Sequence, residues 1–250
     1  MRADDAQQRV PADGPRAARS ARGVNARVSR TTTSMNDHDI LRKPDALEAI
    51  LGETEALNFN MVSEPKVGAL LATLAASKPG GRFLELGTGT GHGTAWLLSG
   101  MDPTSNLDSV ETDPTVVAVA QRHLSSDRRV TFHVMDGAEF IRQADRGQFD
   151  FIYADAWPGK FSHLDEALAL LRPGGIYLVD DLLPQPNWPE GHAPKVPLLI
   201  DNLERRSEFI TVRLAWASGI MIVVRAAAAS SVRGAGLQIE PSTVASMRTT

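Results

Sequence analysis

The stretch Phe83-Leu-Glu-Leu-Gly-Thr-Gly-Thr-Gly-His-Gly-Thr-Ala-Trp-Leu-Leu98 decides the fold. Three apolar residues (Phe83, Leu84, Leu86) run into glycines at Gly87, Gly89, Gly91 and Gly93, and a helical apolar pattern through Ala95, Leu97 and Leu98 leaves them. That order reads as a buried strand, a tight turn and a helix N-terminus, where a nucleotide-like ligand can approach bare backbone. A dinucleotide fingerprint needs glycines at i, i+2 and i+5. Counting from Gly87 the third position is His92, and from Gly89 it is Thr94, so both registers fail. No Lys-Ser/Thr pair closes the loop, which excludes a P-loop.

What the stretch does match is Glu-x-Gly-x-Gly-x-Gly, with Glu85 inside the strand. In this it resembles the class I S-adenosylmethionine (SAM) dependent methyltransferases. The resemblance implies that Glu85, Gly87, Thr88, Gly89 and Gly91 form the wall around the methionine portion of SAM, with the acid near its ammonium group. A plain glycine-rich turn is the alternative, and the downstream segments count against it.

Outward from the loop the chain alternates strand and helix. Strands are predicted over 83–86, 107–111, 130–135, 149–154, 175–179, 209–214 and 219–225. Helices are predicted over 44–57 and 65–76 and, between the strands, near 92–100, 114–125, 137–145, 163–171 and 194–206. Such alternation favours a mostly parallel sheet covered on both faces. Only residues 215–218 separate the last two strands, too few for a crossover, so the final strand must run antiparallel. The fold class is therefore α/β: a doubly wound, seven-stranded, mostly parallel sheet with an antiparallel C-terminal hairpin. The methyltransferase fold has that hairpin and the nicotinamide-binding fold lacks it.

A chain of 250 residues, 42% hydrophobic and 22% charged, has enough apolar material for one two-sided core. The domain is placed at 39–225. Residues 1–38, rich in Arg, Ala, Ser and Thr, read as a disordered extension, and 226–250 as a flexible tail. Asp4, Asp5 and Asp13 argue against a transit peptide; another reading starts the protein at Met35. A net charge of -4 argues against a nucleic-acid partner. The absence of cysteine excludes disulfides and thiolate sites, and no apolar run is long enough to span a membrane. A cytoplasmic enzyme with a small-molecule acceptor is expected, and a homodimer is left open.

The second strand ends in Ser109-Val-Glu-Thr-Asp-Pro114, twenty residues beyond Gly91. Glu111 can accept hydrogen bonds from both ribose hydroxyls of an adenosine cofactor, while Asp113 suits a cap before Pro114. After the third strand, Asp136, Gly137, Ala138 and Glu139 stand where the resembling family edges the adenine; Asp136 could equally be a plain N-cap. The fourth strand ends at Asp155, followed by Ala-Trp-Pro-Gly and Lys160, and the fifth at Asp180-Asp181. Three converging carboxylates need a cation or protons to offset them, and an oxygen-only set suits Mg²⁺ or another hard divalent ion.

Here the chain resembles, more narrowly, the catechol and caffeoyl-CoA O-methyltransferase group. That resemblance implies metal ligands at Asp155, Asp180 and Asp181, with Asp155 also beside SAM, and a cofactor contact at Met61 in the segment Asn60-Met61-Val62. The sequence departs from the group at Asp181, where the group has Asn, and at Lys160, which stands further from the first acid than the group's lysine. Asp155 and Lys160 are the candidate catalytic residues, with His163 a second candidate base or a solvated cap. Trp157 and Trp188 read as walls for a planar acceptor. His192 reads as a ligand or, more simply, a surface residue. The expected activity is methyl transfer from SAM to a hydroxyl of a small phenolic acceptor, with a divalent cation as an option. The alternatives are a metal-independent enzyme acting on another O or N nucleophile, and a non-catalytic SAM-binding module.

Overall fold

The computed structural model describes residues 36–37 and 42–227. The expected extension at 1–38 and tail at 226–250 fall almost wholly outside the described residues. Within them the elements are α1 (Leu47–Ala56), α2 (Pro65–Ala76), β1 (Arg82–Leu86), α3 (His92–Gly100), β2 (Asn106–Glu111), α4 (Pro114–Leu124), β3 (Val130–Val134), α5 (Gly137–Gln143), β4 (Phe149–Ala154), α6 (Trp157–Lys160), α7 (Leu164–Ala169), β5 (Leu171–Val179), α8 (Lys195–Glu204), β6 (Phe209–Leu214) and β7 (Ile220–Arg225). The strands form one sheet in the order β3-β2-β1-β4-β5-β7-β6. Its first five members are parallel, and β7 is antiparallel to both β5 and β6. The hairpin inserts its second strand next to β5, which leaves β6 at the edge with Ile210 and Val212 exposed.

Strand alternation sorts the core. Leu107, Phe83, Phe151 and Ile176 lie level across β2, β1, β4 and β5 and meet α1, α2 and α3. One position on, Leu84, Ile152, Tyr177 and Val223 face the other way, toward α7 and α8. Both faces are covered, so the central strands are apolar on both sides.

Two elements differ from expectation: α6 at Trp157–Lys160 has no counterpart among the predicted helices, and β5 starts early. The helix predicted at 163–171 stops at Ala169, and β5 begins at Leu171 rather than Gly175. Leu171 pairs with Phe149 before a register shift, and Gly174 takes a positive φ of 79° there. The Pro-Gly-Gly run is thus an irregular start to a strand rather than the end of a helix.

Helices α2 and α3 pack closely because glycines permit it. A Cβ on Gly100 would lie 1.9 Å from the Ala72 carbonyl oxygen, and one on Gly68 would lie 2.2 Å from the Trp96 indole. Gly100→Ala is therefore expected to destabilise the protein by about 2–3 kcal/mol or more, since backbone cannot yield as a side chain can. Gly52→Ala, with nothing within 4 Å of the added carbon in α1, should gain roughly 0.5–1 kcal/mol. Thermal melts of the pair check both; similar melting temperatures would refute the packing account.

Among the described residues, no helix is long and apolar enough to cross a membrane.

Candidate active site

The strand order reverses between β1 and β4, and ligands of open α/β sheets bind at such a switch point, beyond the carboxyl ends of the strands. A cleft of about 440 Å³ opens there. Its floor is the glycine loop. Gly87 has φ 101°, and a Cβ on it would sit 2.6 Å from the Asp155 carbonyl oxygen, so only glycine lets β1 and β4 meet at this turn. Gly87, Thr88, Gly89, Thr90 and Gly93 line the cleft. Gly91 does not; it lies against Ala120 of α4, whose Cβ would be 2.6 Å from its own.

Glu111 stands on the rim of the cleft. Its Oε2 accepts from the Gly89 N–H at 2.9 Å, and its Oε1 from the N–H groups of Thr112 and Asp113 at 2.8 and 3.1 Å. Three backbone donors fix the carboxylate, which lines the cleft and keeps about one of its four acceptor sites free. Asp113 caps α4 through Thr115 and Val116.

Glu85, inside β1, is buried beneath the loop and does not itself line the cleft. Its Oε2 accepts from Thr94 at 2.5 Å and Ser109 at 2.6 Å, while its Oε1 has no partner. A Cβ on Gly93 would be 2.5 Å from that Oε1, so the orphaned oxygen lies directly against a glycine that lines the cleft. Burial pushes the Glu85 carboxyl up to about 8. An unpartnered buried carboxylate oxygen, a glycine floor and a rim carboxylate fit the ammonium, methionine chain and ribose of SAM respectively.

The turn after β3 corrects one expectation. Asp136, Gly137 and Ala138 do not line the cleft. The Asp136 carboxylate is taken up in capping α5, accepting from Ala138 at 2.6 Å and Glu139 at 3.3 Å. Gly137 packs behind Pro158. The turn shares the rim, with Met135 bonded to the Glu111 carbonyl at 2.9 Å, but it acts as a brace.

At the other end of the cleft the predicted acids do converge, around groups the sequence reading missed. The Tyr153 hydroxyl donates to Asp180 Oδ2 at 2.7 Å and lies 3.2 Å from Asp155 Oδ2 and 3.0 Å from Ser63 Oγ. Asp180 Oδ1 accepts from the Asp181 N–H at 2.7 Å and from Ser218. Tyr153 lies two residues before Asp155 and so on the same face of β4, a period that could have marked it. Ser63 and Ser218 arrive from distant segments and carried no signal.

The Pro158-Gly159 turn interrupts α6 with non-helical angles and folds Lys160 back under the site. The lysine is buried, with its Nζ donating to the Asp180 carbonyl at 3.2 Å and lying 3.6 Å from Asp155 and 3.9 Å from Asp181. Burial, reinforced by Asp180 and Asp181 and opposed by Lys160, pushes Asp155 well above the usual carboxylate range. Burial and the charge of Asp181 raise Asp180 against the hydrogen bonds of Ser218 and Tyr153.

The three acids have the right chemistry for a hard divalent ion but not the arrangement. Three protein donors already converge on Asp180, and an ion about 2.0–2.6 Å from these oxygens would crowd the Lys160 ammonium. Among the described residues, no cluster of acids, histidines or cysteines has metal-holding geometry. Asp155, Asp180 and Asp181 thus do not form the expected ligand set.

Trp157, Trp188, Pro189 and Asn187 close the cleft above Lys160, and exposed Met61 flanks it opposite. His192 corrects another expectation: it is buried, stacked on Trp188 at 4.3 Å, and within 3.1 Å of the Asp181 carbonyl. Burial lowers its pKa. His163 is not a base here. It lies outside the cleft with its Nε2 3.1 Å from Arg142.

Sheet order, glycine loop and the acid after β2 together define the class I SAM-dependent methyltransferase fold. A family model described as a methyltransferase domain matches residues 84–182. A putative O-methyltransferase of Mycolicibacterium vanbaalenii is 30% identical over 162 residues, 62% of this chain and 70% of that one. A catechol O-methyltransferase of Niastella koreensis is 30% identical over 147 residues, 56% of this chain and 66% of that one. The chain belongs to the SAM-dependent O-methyltransferase family. Solved structures share its fold. One is an O-methyltransferase of Streptomyces achromogenes in complex with SAM, with TM-score 0.66, 22% identity, and 76% and 94% of the two chains covered. Another is an O-methyltransferase of Bacillus cereus bound to S-adenosylhomocysteine (SAH), with TM-score 0.65, 21% identity and the same coverage.

Proposed function

We propose that this enzyme methylates a hydroxyl of a small, planar, phenol-like acceptor. The observation that carries the reading is one cleft with two unlike ends: glycine backbone and Glu111 at one, Asp155 and Lys160 under an indole wall at the other. The cofactor supplies an electrophilic methyl on sulfur. With SAM held at the glycine end, the acceptor oxygen would take that methyl as the C–S bond broke, its electron pair staying on sulfur and the phenolic proton passing to water at the cleft mouth. The residues contribute alignment: Trp157 and Trp188 fix the ring plane, and Asp155 and Lys160 fix the oxygen. Holding the two reactants in line can supply on the order of 7–11 kcal/mol of barrier reduction.

The test is methyl transfer from labelled SAM to phenols, catechols, aliphatic alcohols and amines. Label on phenolic oxygen is expected; label on amines alone would overturn the reading. Trp188→Ala should raise the acceptor KM about tenfold and leave the KM for SAM unchanged, because the lost area is aromatic and lies only on the acceptor side. A rise in both, seen in steady-state kinetics, would count against the division of the cleft.

A further inference from the structure

Resting on that acceptor reading, we infer that the Lys160 ammonium is itself the cation of this site, so that methyl transfer needs no divalent ion and the acceptor needs one hydroxyl rather than a chelating pair. Four observations carry it. The Nζ occupies the point between Asp155, Asp181 and the Asp180 carbonyl, the centre on which a cation bound by these residues would fall. The side chain is built into place rather than free to swing. The Tyr177 hydroxyl donates to the Gly159 carbonyl at 2.7 Å, the Gly159 N–H donates to the Ser162 carbonyl at 2.8 Å, and a Cβ on Gly159 would be 2.6 Å from Leu86. The oxygens of Asp180 are spoken for by Tyr153, Ser218 and the Asp181 N–H. Finally, the ammonium makes one hydrogen bond, to the Asp180 carbonyl; the two carboxylate contacts are longer, so N–H donors remain for a ligand in the cleft that Lys160 lines.

A buried ammonium needs acidic neighbours, and the carboxyl oxygens of Asp155 and Asp181 stand 3.6 and 3.9 Å from it. What it offers a phenol differs from what a metal offers. A metal holds two adjacent oxygens by exchanging ligands, whereas an ammonium is a point charge that donates one hydrogen bond to one oxygen. It stabilises negative charge as that oxygen loses its proton.

Three measurements decide the matter. Calorimetric titration of MgCl₂, MnCl₂ and CaCl₂ into the SAH-saturated protein should show no saturable binding. One ion per chain, lost in Asp155→Asn, would overturn the inference. Chelator-treated enzyme should methylate 4-nitrophenol as well as 4-nitrocatechol; turnover abolished by chelator and restored by Mg²⁺ would overturn it. In mildly acidic buffer, the absorbance of 4-nitrophenol should shift to that of the phenolate on binding the wild-type SAH complex. Lys160→Met, similar in length but uncharged, should lose that shift and about 100-fold or more in turnover while still binding SAH. An unchanged shift in that variant would overturn the inference. If neither phenol is methylated, the acceptor reading falls alone, because the ion titration judges the cation site without any acceptor.

Discussion

Glu111→Ala is expected to weaken SAH binding about 100-fold, measured by calorimetry, while turnover at saturating SAM stays near wild type. Hydrogen bonds to a charged acceptor are worth about 1.5–3 kcal/mol each, and water recovers part of the loss when the carboxylate is removed. The ribose is remote from the reacting methyl, so the loss belongs to binding and not to the chemical step. A second effect acts in the same direction. The Glu111 carboxylate ties Gly89 of the loop to Thr112 and Asp113 beyond β2, and its removal leaves three backbone N–H groups to find water. Glu111→Gln keeps one acceptor oxygen and should fall between, near tenfold. If the alanine variant binds SAH within about threefold of wild type, Glu111 braces the loop and does not hold the ribose.

That the place of Glu111 at a strand end was legible in the sequence while the seryl partners of Asp155 and Asp180 were not has a physical reason. Glu111 lies at a strand end set by local pattern, and its partners Thr112 and Asp113 are its neighbours in the chain. The same holds for Gly87, whose glycine is demanded by one turn, and for the antiparallel β7, which follows from a short connection. The acid cluster is different. Asp155 and Asp180 were legible as strand-end carboxylates, but their partners come from Ser63 before the sheet and Ser218 in the last hairpin, and nothing local marks such meetings. Asp136 shows a further ambiguity. A carboxylate that caps a helix and one that meets a ligand use the same atoms at the same place after a strand, and only the structure shows which partner it has. The position of Lys160 among the acids turns on one element. Pro158-Gly159 lengthens the path from Asp155 to Lys160 and also returns the ammonium to the carboxylates, an outcome residue spacing alone does not specify.

The second large effect concerns Glu85 and pH. In the ligand-free protein this carboxyl is held up to about 8, against 4.5 for an unperturbed glutamate, chiefly by burial. The folded state therefore binds a proton that the unfolded state has released across that interval. Stability from this group is fully present below about 4.5 and is lost as pH rises toward 8. The shift corresponds to an effect on the order of 4–5 kcal/mol. Glu85→Gln keeps the shape and can still accept from Thr94 and Ser109, but it does not titrate. Its melting temperature should accordingly lie near wild type in acid and above it at mildly alkaline pH. Saturating SAH should shrink the same slope in the wild type, because an ammonium set across Gly93 from Oε1 supplies the counter-charge that burial denies. Calorimetric melts of both proteins across that range, with and without SAH, test each arm. Parallel wild-type and Glu85→Gln curves would show that Glu85 is ionised in the fold, and a wild-type slope indifferent to SAH would place the cofactor's ammonium elsewhere.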